Sequence, residues 1–276
     1  LGNNDISREG VKKLECGLVN NTSLEVLDFR FNSKMKHEKG KENATRSLAT
    51  YIKNSPELKV INLKDCMIGA VGIREMSIGL RSTRSLAELN LERCDLGVEG
   101  ALALGQCFTA NRSLVNLRLK CNDIQVHGML GLLKNLQHHP CMRSLKLECN
   151  SIAITEENVG ALATCLITNV SLSTLDLSHK SNKDEEKKIR NTGVMLLAKE
   201  LHQYGWYCKD DVIVRFVQKK RPERKGCLSE AIRALESKDS EVQERFDITM
   251  QYEVDKGWEG LVCQKERQRW IVKTNY

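Results

Sequence analysis

Three consecutive 28-residue segments decide the fold. Residues 58–85 read LKVINLKDCMIGAVGIREMSIGLRSTRS, residues 86–113 read LAELNLERCDLGVEGALALGQCFTANRS, and residues 114–141 read LVNLRLKCNDIQVHGMLGLLKNLQHHPC. Each segment fits the template L-x-x-L-x-L-x-x-N/C-x-L, followed by a glycine and two apolar residues four positions apart, without a gap. A period of this length is the sequence signature of a repeat protein.

The template predicts one strand and one helix in every repeat. Its L-x-x-L-x-L portion alternates with a period of two, which is typical of a short strand with the leucines facing inward. The apolar pair four positions apart marks one face of a helix. Stacked in register, such units form a curved α/β solenoid with a parallel sheet inside and helices outside. The Asn or Cys slot lies where the chain leaves the strand, so we expect its side chain to bond backbone groups there.

The flanking segments keep the template with insertions. Two of the insertions are charged and lie around residues 36–41 and 183–188. After the first insertion, the apolar helix pair of the template is Leu48 with Ile52, and after the second it is Leu197 with Leu201. We predict about seven repeats in residues 1–208, the first of them truncated. Because Leu1 falls inside a repeat, we expect upstream sequence or another subunit to cover this end of the solenoid.

The repeat length and the Asn or Cys slot resemble the ribonuclease-inhibitor-like subfamily of leucine-rich repeats, over about residues 1–204. This subfamily includes ribonuclease inhibitor, the sensing regions of NOD-like receptors, the Ran GTPase-activating protein, and ciliary and centrosomal scaffolds. The resemblance implies a solenoid that binds another protein.

The repeat pattern fades after Tyr204, and residues 209–276 are expected to form a C-terminal cap or a small α+β appendage. Within this segment the pattern predicts strands at 211–217, 248–254, 261–263 and 270–273, a helix at 228–235, and a loop at 218–225.

The concave face of the solenoid is the expected binding surface, and a basic cluster lies at its centre. We predict that this cluster contacts a protein with an acidic surface, and its members are Arg118, Lys120, Arg143 and Lys146. An ordinary solvated face is the alternative, with Glu92 and Glu148 offsetting the charge; Asp176 is placed on the same face. The net charge of +7 fits an acidic protein at least as well as nucleic acid.

A second basic run offers a possible anionic contact, and it consists of Lys219, Lys220, Arg221, Arg224 and Lys225. A charged surface loop is the competing interpretation. Aromatic residues do not interleave with it, as they do in single-strand binders, so nucleic acid is not favoured.

Several polar motifs are interpreted as structural. Cys66 and Cys94 occupy the Asn or Cys slot and are not nucleophiles, and His138 to Cys141 are the end of a helix and a turn. The sequons at Asn21, Asn111 and Asn169 all fall three residues before a strand leucine. Motifs of zinc hydrolases, serine esterases and P-loop proteins do not occur, so we expect no enzyme, no cofactor and no metal.

The 11 cysteines form no CxxC pair and are odd in number, which favours reduced thiols and a cytoplasmic location, with a cytoskeletal or ciliary assembly as one setting. The uncharged stretch 158–175 contains several polar residues and follows the repeat, so no membrane span is expected.

The predicted function is a non-catalytic protein-interaction scaffold. One alternative is a GTPase-activating protein resembling the Ran activator. That family typically ends in a strongly acidic tail, and residues 209–276 are not acidic in this way. The other alternative is the ligand-sensing region of a NOD-like receptor.

Overall fold

Short strands alternate with helices along the chain, in the order that the repeat predicts. The computed structural model describes residues 1–18, 21–32, 44–169, 171–177, 196–197, 199–201, 213–215, 262–266 and 269–273. The helices are α1 (Arg8–Leu18), α2 (Ala44–Asn54), α3 (Gly69–Ser82), α4 (Gly97–Phe108), α5 (Gln125–Leu136) and α6 (Glu156–Thr168). The strands are β1 (Val26–Asp28), β2 (Val60–Asn62), β3 (Glu88–Asn90), β4 (Asn116–Arg118), β5 (Ser144–Lys146), β6 (Thr174–Asp176), β7 (Ile213–Arg215), β8 (Val262–Glu266) and β9 (Arg269–Lys273).

The chain divides into two compact units, and the first contains the most regular repeats. It comprises Leu1–Asn150 together with Asn169–Ser171. Strands β1 to β5 are parallel, and each pairs with the next at a register set by the repeat. Their central residues are aligned across the sheet and buried, and they are Leu27, Ile61, Leu89, Leu117 and Leu145. The predicted parallel sheet with inward apolar residues is therefore confirmed.

Glycine allows neighbouring helices of the first unit to approach closely. A Cβ atom on Gly79 of α3 would overlap the carbonyl oxygen of Ala49 in α2 and would lie 2.9 Å from the Ala49 Cα atom. A Cβ atom on Gly72, the glycine of the template, would lie 2.6 Å from Ile68 Cγ2 and 2.9 Å from Thr45 Cγ2. The template glycine thus marks a position where helix packing leaves no room for a side chain.

The side chain in the Asn or Cys slot, here called the ladder slot, hydrogen-bonds to the backbone of the preceding repeat. The residues of the ladder slot are Asn32, Cys66, Cys94, Asn122 and Asn150. The Asn122 amide donates to the Leu91 carbonyl at 2.8 Å, and its oxygen accepts from the Cys94 N–H at 2.9 Å. The Cys94 thiol donates in the same way to the Leu63 carbonyl at 3.0 Å. Burial raises the pKa of Cys94 to about 12, so the thiol keeps its proton and acts as a donor. The predicted backbone-bonding role of this slot is confirmed.

Apolar residues that follow two of the sequence insertions occupy the core, as predicted. Leu48 and Ile52 are buried in α2, and Leu197 and Leu201 are buried as well. The insertions around residues 36–41 and 183–188 lie outside the described residues.

The second unit comprises Ser151–Thr168 together with Leu172–Tyr276. Strand β7 pairs in parallel with β6, so the strand predicted at 211–217 is present and continues the parallel pairing of the repeats. Strands β8 and β9 form an antiparallel pair, where strands were predicted at 261–263 and 270–273. The predicted loop 218–225, helix 228–235 and strand 248–254 lie outside the described residues, and the domain boundary after residue 208 stays a prediction.

Candidate protein-binding surface

The face of the first unit's sheet that points away from the helices is called here the exposed sheet face. Strand alternation directs one residue from each end of every strand towards it, as expected for the concave face. On β2 and β3, for example, the central residue is buried while both neighbours are half-buried. This face therefore presents side chains rather than backbone to a partner.

The last residue of each strand occupies a slot that serves two different purposes. In β1, β2 and β3 this residue is Asp28, Asn62 or Asn90, and its side-chain oxygen accepts from the backbone N–H two residues later, at 3.0, 3.2 and 3.0 Å. This local bond caps the end of the strand. The sequence interpretation missed these caps, although an Asp or Asn at the same template position in three repeats is the signal for them.

In the next two repeats the same slot holds cations. Arg118 ends β4 and Lys146 ends β5, and the two residues are partners in the register of the sheet. Neither side chain has a hydrogen bond or an ion pair with any residue that the structure describes. Two like charges opposite each other on adjacent strands repel, at a cost within the roughly 0.2–1 kcal/mol range of cross-strand pairs.

Other cations on or beside this face are matched with carboxylates. Lys59 Nζ lies 2.7 Å from Glu25 Oε1, and Arg93 Nε lies 2.9 Å from Asp65 Oδ1. Lys64 Nζ lies 3.4 Å from Glu92 Oε2. Arg30 is likewise paired with Asp28, at 3.0 Å. The charge on most of the face is thus compensated within the protein.

Lys120 adds a third positive charge that has no carboxylate partner among the described residues, next to Arg118 and Lys146. It follows Arg118 by two residues, is half-buried, and makes no ion pair among the described residues. The sequence interpretation placed Glu148 beside it as a solvated, offsetting charge, and this placement is wrong, because Glu148 is only 9% exposed. Asp176, assigned to the same face, is only 2% exposed. Neither carboxylate is a solvated residue of this face.

Arg143 does not share the situation of the other three cluster residues. Its guanidinium group donates to the carbonyl of Ser171 at 2.9 Å, so part of its hydrogen-bonding capacity is used within the first unit. We call Arg118, Lys120 and Lys146 the cationic patch, because these three cluster residues make no ion pair or side-chain hydrogen bond among the described residues. The second basic run, Lys219 to Lys225, lies outside the described residues.

The slot three residues before each strand leucine holds the sequon asparagines and His139. Asn111 Oδ1 accepts from the Leu114 N–H at 2.9 Å, and its amide donates to the Leu80 carbonyl at 2.7 Å. His139 accepts from the Met142 N–H at 3.0 Å through Nδ1, which leaves Nε2 as the donor to Asn111 Oδ1 at 3.3 Å. Burial, and secondarily the charge of Arg112, lowers the pKa of His139 to about 4. These contacts confirm the structural interpretation of this slot.

The described residues contain neither a cluster of metal-ligating side chains nor a helix that could span a membrane. Within that part of the chain, no three His, Cys, Asp or Glu side chains come together in a way that could hold a metal ion. No helix there is long and apolar enough to cross a membrane. The eight cysteines for which the structure describes a side chain are all free thiols.

Comparison with protein families identifies the repeat. The family model described as Leucine Rich repeat matches residues 83–105, which contain β3 and the beginning of α4. Together with the parallel strands that alternate with helices, this match shows a leucine-rich-repeat protein. Leucine-rich-repeat domains generally serve as protein-interaction scaffolds. No curated protein is significantly similar to the chain.

Proposed function

We propose that this protein is a non-catalytic scaffold that binds an acidic protein surface through the cationic patch. The observation that carries the proposal is the contrast in charge pairing on one face. Cations in the first three repeats are paired with carboxylates, whereas Arg118, Lys120 and Lys146 have no such partner among the described residues. A row of carboxylates on a partner would relieve the repulsion within the patch and would steer the two proteins together.

The setting of this scaffold is proposed from the repeat itself. A length of 28 residues with Asn or Cys in the ladder slot supports membership of the ribonuclease-inhibitor-like subfamily, which contains ciliary and centrosomal scaffolds. We therefore propose a role as a subunit or segment of a larger cytoplasmic assembly of this kind. The free thiols of the ladder slot, which donate to carbonyl groups, support a reducing compartment.

Affinity capture with quantitative mass spectrometry tests the binding surface. The test variant carries Arg118→Glu, Lys120→Glu and Lys146→Glu. A control variant makes the same change in net charge on exposed helix residues, through Arg74→Glu, Arg81→Glu and Lys134→Glu. Each exposed charge contact contributes about 0.2–1 kcal/mol and each reversal adds repulsion, so we expect the patch variant to lose roughly tenfold or more in affinity.

The proposal requires that wild type and the control variant capture the same protein and that the patch variant does not. Capture should weaken as the salt concentration rises, because solvent-exposed charges are screened. Equal capture by all three chains would refute the patch as the contact. Loss of capture after nuclease treatment would point to nucleic acid instead, and stimulated GTP hydrolysis by a captured small GTPase would support the GTPase-activating alternative.

A further inference from the structure

Two cysteines occupy equivalent positions in neighbouring repeats of the first unit. Cys121 and Cys149 each precede the asparagine of the ladder slot, and both have a left-handed backbone, with φ of 55° and 57°. The Cys121 N–H donates to the carbonyl of Glu148 at 2.9 Å, so the two repeats are still in register at this point. The side chains therefore leave neighbouring backbones from matching positions.

The same slot in earlier repeats shows that its side chains reach one another. Asp65 and Arg93 occupy it in two neighbouring repeats, and their side chains form an ion pair of 2.9 Å. Cys149 likewise lies close enough to Cys121 to act on its thiol, both electrostatically and as a hydrogen-bond partner. Burial is the largest cause that raises the pKa of Cys121, and the hydrogen bond with Cys149 raises this pKa further, while Lys120 and Arg93 lower it.

The pair differs from the other cysteines that follow the repeat period. Cys66 and Cys94 are also 28 residues apart, but each is fully buried and its thiol donates to a carbonyl of the preceding repeat, at 3.1 and 3.0 Å. Cys121 and Cys149 are only half-buried. A reagent in solution can therefore reach them without unfolding the repeats.

We propose that Cys121 and Cys149 are a thiol modification site, which forms a reversible disulfide between neighbouring repeats by exchange with an anionic small-molecule disulfide of the glutathione type. One thiol loses its proton and attacks a sulfur of the reagent, forming a mixed disulfide and releasing one glutathione thiolate. The second protein thiol then loses its proton, attacks the protein sulfur of the mixed disulfide and releases the other glutathione thiolate. The two released glutathione thiolates take up the two protons that the protein thiols lost. The protein dithiol is oxidised, and one glutathione disulfide is reduced to two thiols.

Geometry favours the disulfide between the two thiols, and a nearby cation favours the approach of an anionic reagent. Adjacent strands lie about 4.8 Å apart, within the roughly 4.4–6.8 Å between Cα atoms that a disulfide spans. Lys120 and Arg93 lie close enough to act on Cys121 electrostatically, and Lys120, which has no ion pair among the described residues, would attract the carboxylates of glutathione. This inference does not depend on the proposed protein partner.

Redox titration of the full chain tests the proposal. The reduced protein is equilibrated with mixtures of reduced and oxidised glutathione, alkylated under native conditions and analysed by intact-mass and peptide mass spectrometry. Relative to the reduced protein alkylated in the same way, we expect the oxidised protein to carry two fewer alkyl groups at this pair and one cross-linked peptide to join Cys121 with Cys149. In the Cys149→Ser variant, Cys121 should instead retain a glutathione adduct. The Cys66 and Cys94 thiols are the internal control and should stay reduced.

Two results would overturn the proposal. One is a wild-type protein in which both cysteines stay reduced, or keep separate adducts, at every ratio of oxidised to reduced glutathione. The other concerns the rate of oxidation by glutathione disulfide. If the Lys120→Glu variant were oxidised as fast as wild type, Lys120 would not attract the anionic reagent. The same variant with neutral hydroxyethyl disulfide provides the matched control, and we expect a smaller loss of rate there, because only the effect of Lys120 on the pKa of Cys121 remains.

Discussion

Replacement of Asn122 by alanine should show how much the ladder slot contributes to stability. The side chain donates to the carbonyls of Leu91 and Leu119 at 2.8 and 2.9 Å and accepts from the Cys94 N–H at 2.9 Å. Alanine would leave the Leu91 carbonyl and the Cys94 N–H without a partner, whereas the Leu119 carbonyl would keep its bond from the Asn150 amide at 2.8 Å. A buried polar group that loses its partner costs about 1–3 kcal/mol. Since water and relaxation recover part of the loss, we expect the free energy of unfolding to fall by roughly 3–5 kcal/mol.

Cysteine at the same position provides a graded comparison, because the chain itself uses Cys in this slot. The thiol of Asn122→Cys should donate to the Leu91 carbonyl as Cys94 does to Leu63, so the loss should be only about 1–2 kcal/mol. Urea unfolding followed by far-ultraviolet circular dichroism measures these differences.

A second asparagine serves as the control for this series. Asn116 on the exposed sheet face donates to Glu88 at 3.2 Å, and its replacement by alanine should cost less than about 0.5 kcal/mol. If Asn122→Ala were no more destabilising than Asn116→Ala, the argument that this slot supports the fold would be refuted.

Three further predictions concern the core, pH and thiol reactivity. Gly79→Ala should destabilise the protein by about 1–3 kcal/mol, because its Cβ atom would overlap the neighbouring helix, whereas Gly17→Ala, which meets nothing within 4 Å, should be neutral or stabilising in thermal unfolding. As the pH falls from about 6.5 to 4, the unfolded chain binds a proton that folded His139 does not, so stability should fall by up to about 3 kcal/mol, and His139→Asn should remove this dependence. Iodoacetamide should modify exposed Cys16 in the folded protein but leave Cys94 unmodified until urea is added.

Much of the first unit could be predicted from residue spacing. Position 61 holds isoleucine rather than leucine, yet the place of Ile61 beside Leu89 followed from the period alone. The same reasoning placed the ladder slot and the turn at His139 correctly, because these roles depend on contacts between residues one repeat apart. The strand at 213–215 was also anticipated from its alternation.

The candidate site was less predictable. From the sequence, Arg143 lies beside the basic cluster of Arg118, Lys120 and Lys146 and is predicted to act with it. Only the structure shows the Arg143 guanidinium donating to the Ser171 carbonyl and the side chain of Glu148 largely buried. Which cation finds a partner depends on side-chain rotamers and on groups distant in sequence, and neither is encoded in the periodic pattern.

The sequence by itself therefore determined the repeat, its strand and helix slots, and the inward positions, because a 28-residue period imposes the same local interactions in every unit. Tertiary structure decided how the outward charges and thiols are used. Arg30 and Arg118 are both basic and both point outward in the template, yet Arg30 is paired with Asp28 at 3.0 Å while Arg118 has no such partner among the described residues. The physical reason is that burial is specified by position in the repeat, whereas charge pairing is specified by which side chains of neighbouring repeats meet in space.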